Sequence, residues 1–298
     1  MSEIFSSLKR AGSKKPEAFN EPGPIPINIF VDDAAQAPEP AHAAALPAIK
    51  PAAIEIVQSG GFDLAAADYI LRTVFDPHTV AGEQYRLLRS KLTQMQRERG
   101  IKTILVTSSV PYEGKTFVSC CLAGVFAQEP GKRVLLIDAD LRKPRVGRSF
   151  GVNGNAPPGG LSLVLRGQQD ARDALLNAKE SGLCLLPAGP IPQDPAELLS
   201  SPNMELTLRS LAAEFDWVVI DSPPVVAMAD AGILAPLCDG ILLVVQQERT
   251  SAKLVKQTIQ RLGQKHICGV VLNRGRHLKS SRYYYSYYHK RSDEVLAS

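Results

Sequence analysis

This sequence has no long apolar run, few cysteines and a single tryptophan. No run in its 298 residues approaches the length of a membrane span, and its first residues, MSEIFSSLKRAGSKKPEAF, contain no apolar core of signal-peptide length. We therefore expect a soluble, cytoplasmic protein. The five cysteines are scattered, mostly within apolar runs and without metal-ligand spacing, which favours buried reduced thiols over disulfides or a zinc site.

A strong excess of charge of one sign is also missing. The formal net charge is only +4, and the hydrophobic fraction is an ordinary 45%. Binding to nucleic acid usually requires a clustered basic face, so no nucleic-acid partner is expected.

Composition divides the chain into three regions. Residues 13–60 are rich in alanine and proline, and repeated prolines oppose regular structure. We predict a disordered region over residues 1–75, a folded domain over residues 76–275, and a flexible, basic, tyrosine-rich tail over residues 276–298.

The first twelve residues differ from the rest of the N-terminal region. Ile4, Phe5 and Leu8 have helical spacing, which predicts a short docking helix at residues 1–12. A frayed terminus is the alternative for so short a segment.

Within the domain, short apolar strands alternate with helical stretches. Continuous apolar runs are typical of strands buried on both faces of a parallel sheet. The predicted strands are KTILVTS (102–108), RVLLID (133–138), LCLLPAG (183–189), WVVIDS (217–222), GILLVVQ (240–246) and ICGVVLN (267–273). The predicted helices are AGEQYRLLRSKLTQMQRERG, KTFVSCCLAGVFAQ, SPNMELTLRSLAAEF and TSAKLVKQTIQRLGQ. This alternation predicts an α/β fold: a P-loop NTPase-like, doubly wound, mostly parallel sheet with flanking helices.

A phosphate-binding loop lies between the first predicted strand and its helix. In SSVPYEGKTF, Gly114, Lys115 and Thr116 occupy the positions of a P-loop, where lysine reaches the β- and γ-phosphates and the threonine hydroxyl ligates Mg²⁺. Two residues depart from the usual pattern. Ser109 replaces the first glycine, and the bulky Tyr112 lies in a loop that usually has small residues.

Carboxylates end two further strands. WVVID ends at Asp221, as in a Walker-B strand, and RVLLID continues into DADLR with Asp138, Asp140 and Arg142. Ligands of open α/β sheets bind at the carboxyl ends of the strands. A single carboxylate there is more often a helix cap, but three beside a P-loop indicate a site for a nucleoside triphosphate with Mg²⁺.

Two patterns lie outside this site. Glu83, Arg86 and Arg89 form E-x-x-R-x-x-R along the first helix, which a solvated face with an internal ion pair would also explain. The segment RYYYSYYHKR, residues 282–291, contains five tyrosines within six positions. Exposed tyrosines beside basic residues also occur where nucleic-acid bases stack or at membrane interfaces.

Together these motifs resemble the bacterial tyrosine kinase (BY-kinase) family, the cytoplasmic autokinases of capsule and exopolysaccharide assembly. The resemblance spans about residues 76–290. It is carried by SSVPYEGKT as Walker A, VLLIDADLRKP as the additional Walker A′, VVIDSPP as Walker B, DPAELLSSPNM, GEQYRLLR and the tyrosine tail.

The resemblance implies ATP and Mg²⁺ as cofactors and gives roles to particular residues. Asp138 would act as the base for the tyrosine hydroxyl. The implied catalytic residues are Lys115, Asp138, Asp140 and Asp221; the ATP-binding residues are Ser109, Glu113, Gly114, Lys115, Thr116, Phe117 and Asn273; the metal ligands are Thr116, Asp138, Asp140 and Asp221. The implied phosphoacceptors are Tyr283, Tyr284, Tyr285, Tyr287 and Tyr288.

The resemblance also implies partners. Glu83, Arg86 and Arg89 would form the contacts of a homo-oligomeric ring, often an octamer in the family. A membrane-anchored polysaccharide co-polymerase would activate the chain and recruit it to the inner face of the cell membrane, and a protein-tyrosine phosphatase would reverse the reaction. Two alternatives remain at this point. One is a partitioning or division-site ATPase of the deviant Walker class, although Val110 occupies the position of its second lysine. The other is a non-catalytic nucleotide-binding adaptor.

Overall fold

The computed structural model describes most of the predicted domain. It covers residues 28–31, 61–76, 78–152, 159–179, 181–263 and 266–275, with the backbone alone for residues 28–31. The predicted docking helix at residues 1–12 and the predicted tail at residues 276–298 lie outside the described residues and stay predictions.

One nine-stranded sheet organises the described residues. Its strands are β1 Asn28–Val31, β2 Gly61–Phe62, β3 Thr103–Ser108, β4 Val134–Asp138, β5 Leu176–Ala178, β6 Leu183–Leu186, β7 Trp217–Asp221, β8 Gly240–Gln246 and β9 Ile267–Asn273. They lie in the order β1-β9-β8-β3-β7-β4-β6-β5-β2. The pairs β1–β9 and β5–β6 are antiparallel and the other pairs are parallel. The carboxyl ends of β3, β4, β6, β7, β8 and β9 therefore share one edge of the sheet.

Helices cover both faces of this sheet. They are α1 Tyr69–Phe75, α2 Val80–Arg99, α3 Lys115–Ala127, α4 Val146–Ser149, α5 Leu161–Leu165, α6 Pro195–Leu199, α7 Pro202–Glu214, α8 Asp230–Leu234 and α9 Ala252–Leu262, with single 3₁₀ turns at Leu64–Ala66 and Ala235–Leu237. Among the described residues, no helix has the length and apolar character needed to cross a membrane.

The sheet separates two apolar cores. Successive side chains of a strand point to opposite faces, so Leu105 of β3 packs into the core under α5 to α9, whereas Ile104 and Val106 pack into the core under α1 to α3. Both faces of the central strands are thus buried, which explains their continuous apolar runs. The predicted doubly wound, mostly parallel α/β fold is confirmed.

The long helix α2 shows how local sequence sets the element ends. The Thr79 side chain accepts a hydrogen bond from Gly82 N and caps the first turn. Gly100, at φ 70°, ends the helix in the left-handed conformation, as its sequence predicts.

The structure departs from the predicted disorder over residues 1–75 at two places: Asn28–Val31 pairs with β9 as strand β1, and residues 61–75 are folded. Residues 61–75 form β2, a 3₁₀ turn and α1, and Leu71 and Val74 are buried in the core. The ring of Phe75 lies so close to Gly124 that a Cβ there would be 2.2 Å from a ring carbon. Apolar burial against α3 thus orders this segment, which directly follows the alanine- and proline-rich region. The described part of the domain therefore includes residues 61–75 as well as β1 at Asn28–Val31.

Candidate active site

The carboxyl ends of β3, β7 and β4 bring the predicted site residues together. β3 leads into the loop of residues 109–114 and then into α3, as a P-loop requires. Asp138 and Asp221 are register partners at the ends of the neighbouring strands β4 and β7. The site is therefore built from strand ends that the parallel sheet aligns, as expected for a ligand site of an open α/β sheet.

The phosphate loop has the tight geometry of an anion cradle. Gly114 has φ 92°, and a Cβ there would lie 2.1 Å from Nδ2 of Asn273, so only glycine fits. α3 begins at the next residue and directs the positive end of its dipole at the loop. Tyr112 also has positive φ, 69°, and its side chain is 72% exposed. The backbone thus fits a bound phosphate chain, with a strained, exposed tyrosine at its outer turn.

Lys115 holds the acidic groups together. Its Nζ lies 2.8 Å from Oδ2 of Asp140 and 3.6 Å from Oδ2 of Asp221. Burial alone disfavours the ammonium, but Asp221 and Asp140 outweigh it, so the pKa of Lys115 is raised. Lys115 is therefore a cation ready to exchange its carboxylate partners for phosphate oxygens.

Two carboxylates at this edge are buried with their charge only partly balanced. Burial, followed by the nearby Asp221, raises the pKa of Asp138 to about 7. Burial also raises the pKa of Asp221, against the opposing effect of Lys115. Asp138 Oδ2 accepts hydrogen bonds from Arg145 N and Val146 N, at 3.1 and 3.0 Å, which fix its orientation. Asp138 is thus a fixed carboxyl that can take up a proton near neutral pH.

The donor set fits Mg²⁺ bound together with a nucleotide. Thr116 Oγ1 donates to Asp221 Oδ2 at 2.7 Å, which brings two oxygen ligands to one point. In the described part of the chain, no three acidic, histidine or cysteine side chains form a metal cluster of their own. Mg²⁺ commonly takes one or two protein oxygens and completes its shell with water and substrate phosphates, so the arrangement suits this ion.

Two of the predicted ATP-binding residues, Glu113 and Asn273, brace the loop through their side chains. Glu113 is buried, and its carboxylate accepts hydrogen bonds from Val110 N at 2.8 Å, from Gln246 N at 3.1 Å and from the Thr250 hydroxyl. Asn273 Nδ2 donates to the carbonyl oxygen of Glu113 at 2.8 Å. These bonds fasten the loop to the ends of β8 and β9.

Ser109 and Phe117 flank this braced loop. The hydroxyl of Ser109 accepts a hydrogen bond at 2.9 Å from Thr258 of α9, so the residue that replaces the first P-loop glycine is buried and used for packing. Phe117 lies half-buried on the first turn of α3. Ser109 therefore leaves the inner surface of the loop clear for phosphate.

Arg142 lies in the segment after β4 and is held by a buried partner. Its guanidinium forms a two-bond pair with Asp230 at the start of α8, with distances of 2.8 and 3.0 Å, and Asp230 is fully buried. The Asp230 hydrogen bonds raise the pKa of Arg142. This pair ties the segment that carries Asp140 to the helix that follows the Walker-B strand.

The three residues of the E-x-x-R-x-x-R pattern do not act alike. Glu83 and Arg86 form an ion pair of 2.6 Å on the surface of α2. Arg89 turns toward α3, where its Nη1 donates to Val125 O at 2.8 Å and its Nε lies 3.2 Å from Glu129 Oε1. Arg89 thus stabilises the end of α3 within one chain, and the ring contact stays a prediction.

Several residues at the site escape the sequence motifs. Ser119 donates to Asp221 Oδ1 at 3.1 Å, and it lies one helical turn after Lys115, so its i+4 spacing could have revealed it. Asp230, Thr250 and Thr258 come from segments far along the chain. Nothing in the local sequence marks them as partners of the loop or of Arg142.

Comparison with known proteins gives one consistent result. A model of the AAA domain family matches residues 101–267. The tyrosine-protein kinase YwqD of Bacillus subtilis is 37% identical over 212 residues, which cover 70% of this chain and 88% of YwqD. The solved kinase domain of the Escherichia coli tyrosine kinase ETK has a TM-score of 0.62 and 33% identity, over 67% of this chain and 78% of that one. The chimerical protein CapA2B2 has a TM-score of 0.64 and 28% identity, over 74% and 95%. The chain therefore belongs to the bacterial tyrosine kinase (BY-kinase) family.

Proposed function

We propose that this chain is an ATP-dependent protein-tyrosine autokinase that phosphorylates its own C-terminal tyrosine cluster. One observation carries the proposal: Lys115, Thr116, Asp138, Asp140 and Asp221 converge at one edge of the sheet, beside a loop shaped for phosphate. This is the set of groups that phosphoryl transfer needs, since that reaction depends mainly on positioning and charge neutralisation.

The transfer uses these residues in distinct ways. Lys115 releases Asp140 and binds the phosphate oxygens of ATP, while the loop N–H groups and the start of α3 hold the phosphate chain in line. The tyrosine oxygen forms a bond to the γ-phosphorus, the bond from that phosphorus to the β-phosphate oxygen breaks, and ADP leaves. Asp138 accepts the phenolic proton, which a free tyrosine holds with a pKa of about 10. Thr116 and Asp221 would hold Mg²⁺, which would supply charge neutralisation at the phosphates.

The path of the chain supports the tail as the acceptor. β9 ends at Asn273, whose side chain contacts the phosphate loop, so the chain leaves the sheet at the edge that holds the site. The nine residues from Arg274 to Tyr283 reach at most about 30 Å when extended. This length permits transfer within one chain or to a neighbour. A ring built through Glu83, Arg86 and Arg89 would favour transfer to a neighbour.

Two matched proteins test the kinase activity and the direction of transfer. One carries Lys115→Met with an intact tail, and the other is active but lacks residues 282–298. When the two are mixed with Mg-ATP, phosphotyrosine on the Lys115→Met protein supports transfer between chains. The wild-type protein, incubated separately with Mg-ATP, is the control. If the wild type is labelled but the Lys115→Met protein in the mixture is not, transfer between chains is rejected and transfer within one chain remains. If the wild type is not labelled either, the kinase proposal fails.

We further propose that the chain controls polymerisation and export of an exopolysaccharide or capsule. The family resemblance and the likeness to CapA2B2 support a membrane-anchored co-polymerase as activator, which would recruit the chain to the inner face of the membrane. A protein-tyrosine phosphatase would reset the tail. Each phosphate adds about −1.5 to −2 charges at pH 7, so a tail that carries several phosphates would repel neighbouring tails and loosen the ring. Light scattering before and after phosphatase treatment tests this, and equal masses would reject it.

A further inference from the structure

A cavity lies beside the phosphate site, between the ends of β4 and β6. Its volume is about 310 Å³, and Asp138 forms part of its wall. This is at the lower end of the volumes that hold a small ligand, so it suits a single side chain rather than a nucleotide. The cavity therefore lies where a group delivered to Asp138 would pass.

Two arginines line the cavity. Arg145 immediately precedes α4 and Arg148 lies within it. Both are exposed, and in the described part of the chain neither guanidinium forms a hydrogen bond or an ion pair. In this they differ from Arg142, which is bound to Asp230. Two unpaired guanidinium groups at one cavity make a site for a doubly charged anion.

Another part of the cavity lining is apolar. It consists of the segment Pro187–Pro190, which follows β6, together with Val152. Hydrogen bonds from Leu161 N to Pro187 O, from Ser162 N to Ala188 O and from the Ser162 hydroxyl to Pro190 O hold the segment against α5, at 2.8, 2.9 and 2.8 Å. Proline rings and a valine side chain are apolar groups against which an aromatic ring can pack. The arginines and the apolar lining together match a group that is an aromatic ring with a dianion at its end.

We propose that this cavity binds a phosphotyrosine of the tail and holds the next tyrosine for transfer. The inference rests on the proposed kinase function, because that reaction supplies the phosphotyrosine. In an extended tail, neighbouring residues lie about 3.4 Å apart and alternate residues about 7 Å apart. A phosphotyrosine on Arg145 and Arg148 therefore places another of the five tyrosines within reach of Asp138. The site turns one phosphorylation into a series along the cluster.

Charge keeps the two positions distinct. Asp138 lies on the same cavity and its carboxylate repels a phosphoryl group, while Arg145 and Arg148 attract it. An unmodified hydroxyl is thereby favoured next to Asp138 and the phosphorylated ring next to the arginines. The five tyrosines, separated at most by Ser286, supply both groups in one short segment.

Peptide binding to the dephosphorylated, full-length protein without ATP tests the site. The probes are fluorescent peptides of residues 280–291 with no phosphate, with one phosphotyrosine, and with one phosphoserine at Ser286. We expect the phosphotyrosine peptide to bind at least about tenfold more tightly than the unmodified one, since charge-assisted hydrogen bonds to guanidinium are the strong ones. The double variant Arg145→Ala with Arg148→Ala should lose this difference. The control Arg209→Ala, which removes an exposed arginine on α7, should keep it.

Each outcome decides a separate part of the proposal. Equal affinity for modified and unmodified peptides, or a difference that survives the double variant, overturns it. Equal affinity for the phosphoserine and phosphotyrosine peptides refutes the idea that the apolar lining binds the aromatic ring. Competition by millimolar inorganic phosphate as effective as by the peptide would indicate a general anion site instead. Binding needs no catalysis, so a failure here is distinct from a wild type that never phosphorylates its tail, which would refute the kinase function.

Mass spectrometry of the tail during a reaction with Mg-ATP gives an independent check. Wild-type protein should pass quickly from singly to multiply phosphorylated tails. The double variant should accumulate tails with a single phosphate. The same distribution in both proteins would contradict the proposed role.

Discussion

Replacing Glu113 by glutamine tests whether this residue braces the phosphate loop. The carboxylate accepts two backbone N–H bonds and a hydroxyl bond while almost fully buried. Glutamine has the same shape but turns one acceptor oxygen into an NH₂ donor. The amide then faces the N–H of Val110 or Gln246, and one buried donor loses its partner at a cost of about 1–3 kcal/mol. With the weaker bonds to the remaining oxygen, we expect a loss of about 3 kcal/mol in the free energy of unfolding.

Urea unfolding followed by circular dichroism measures this loss. At a slope of about 2–3 kcal/mol per molar urea, the midpoint should fall by roughly 1 M or slightly more. The matched control is Glu205→Gln, which alters an exposed i,i+4 pair with Arg209 and should shift stability by less than about 0.5 kcal/mol. ATP affinity should also fall in Glu113→Gln because the loop loses its anchor. Equal midpoints for the two variants would refute this reasoning.

Three further predictions follow from the described contacts. Arg142→Ala leaves the fully buried carboxylate of Asp230 unpaired and should lower the free energy of unfolding by about 3 kcal/mol or more. Asp230→Ala leaves only a partly exposed guanidinium unpaired and should lower it by less. Equal urea midpoints for the two variants would contradict this asymmetry. Tyr112→Gly should raise the free energy of unfolding by about 1 kcal/mol, because glycine removes the strain of a tyrosine in the left-handed backbone conformation. The tyrosine is 72% exposed, so its removal costs little packing. An unchanged or lower melting temperature would refute this prediction. In EDTA, the stability of the nucleotide-free protein should fall as the pH rises from 5 to 8. Folding raises the pKa of Asp138 to about 7, so the folded state holds a proton there that the unfolded chain loses at lower pH. The stability that this protonation gives is complete below about pH 4 and is lost as the pH rises through about 7. Asp138→Asn should flatten this slope, and a parallel pH profile would contradict the assignment.

Sequence patterns predict the central sheet well because its strands are decided locally. β3, β8 and β9 are continuous apolar runs that need no partner to be identified, and their predicted bounds agree with the structure to within one residue. β1, β2 and β5 have two to four residues each, and their strand conformation comes from pairing with edges formed elsewhere in the chain. Their sequences alone carry too little periodicity to predict them.

The site divides in the same way. Lys115, Thr116 and Asp221 could be predicted because each occupies a fixed position in a motif and a parallel sheet must bring strand ends together. The bracing role of Glu113 could not be predicted, because its partners Gln246 and Thr250 lie more than 130 residues further along the chain. The sequence predicts which groups meet at the phosphate site, and tertiary contacts decide which of them face the ligand.

Phosphopeptide mass spectrometry of the protein isolated from its own cells tests the central claim most directly. The full chain is compared with Lys115→Met, each after incubation with Mg-ATP. The proposed function predicts phosphotyrosine among residues 283–288 of the wild type and a loss of at least tenfold in the variant. A wild-type tail without phosphotyrosine, or equal phosphorylation in the Lys115→Met protein, would contradict it.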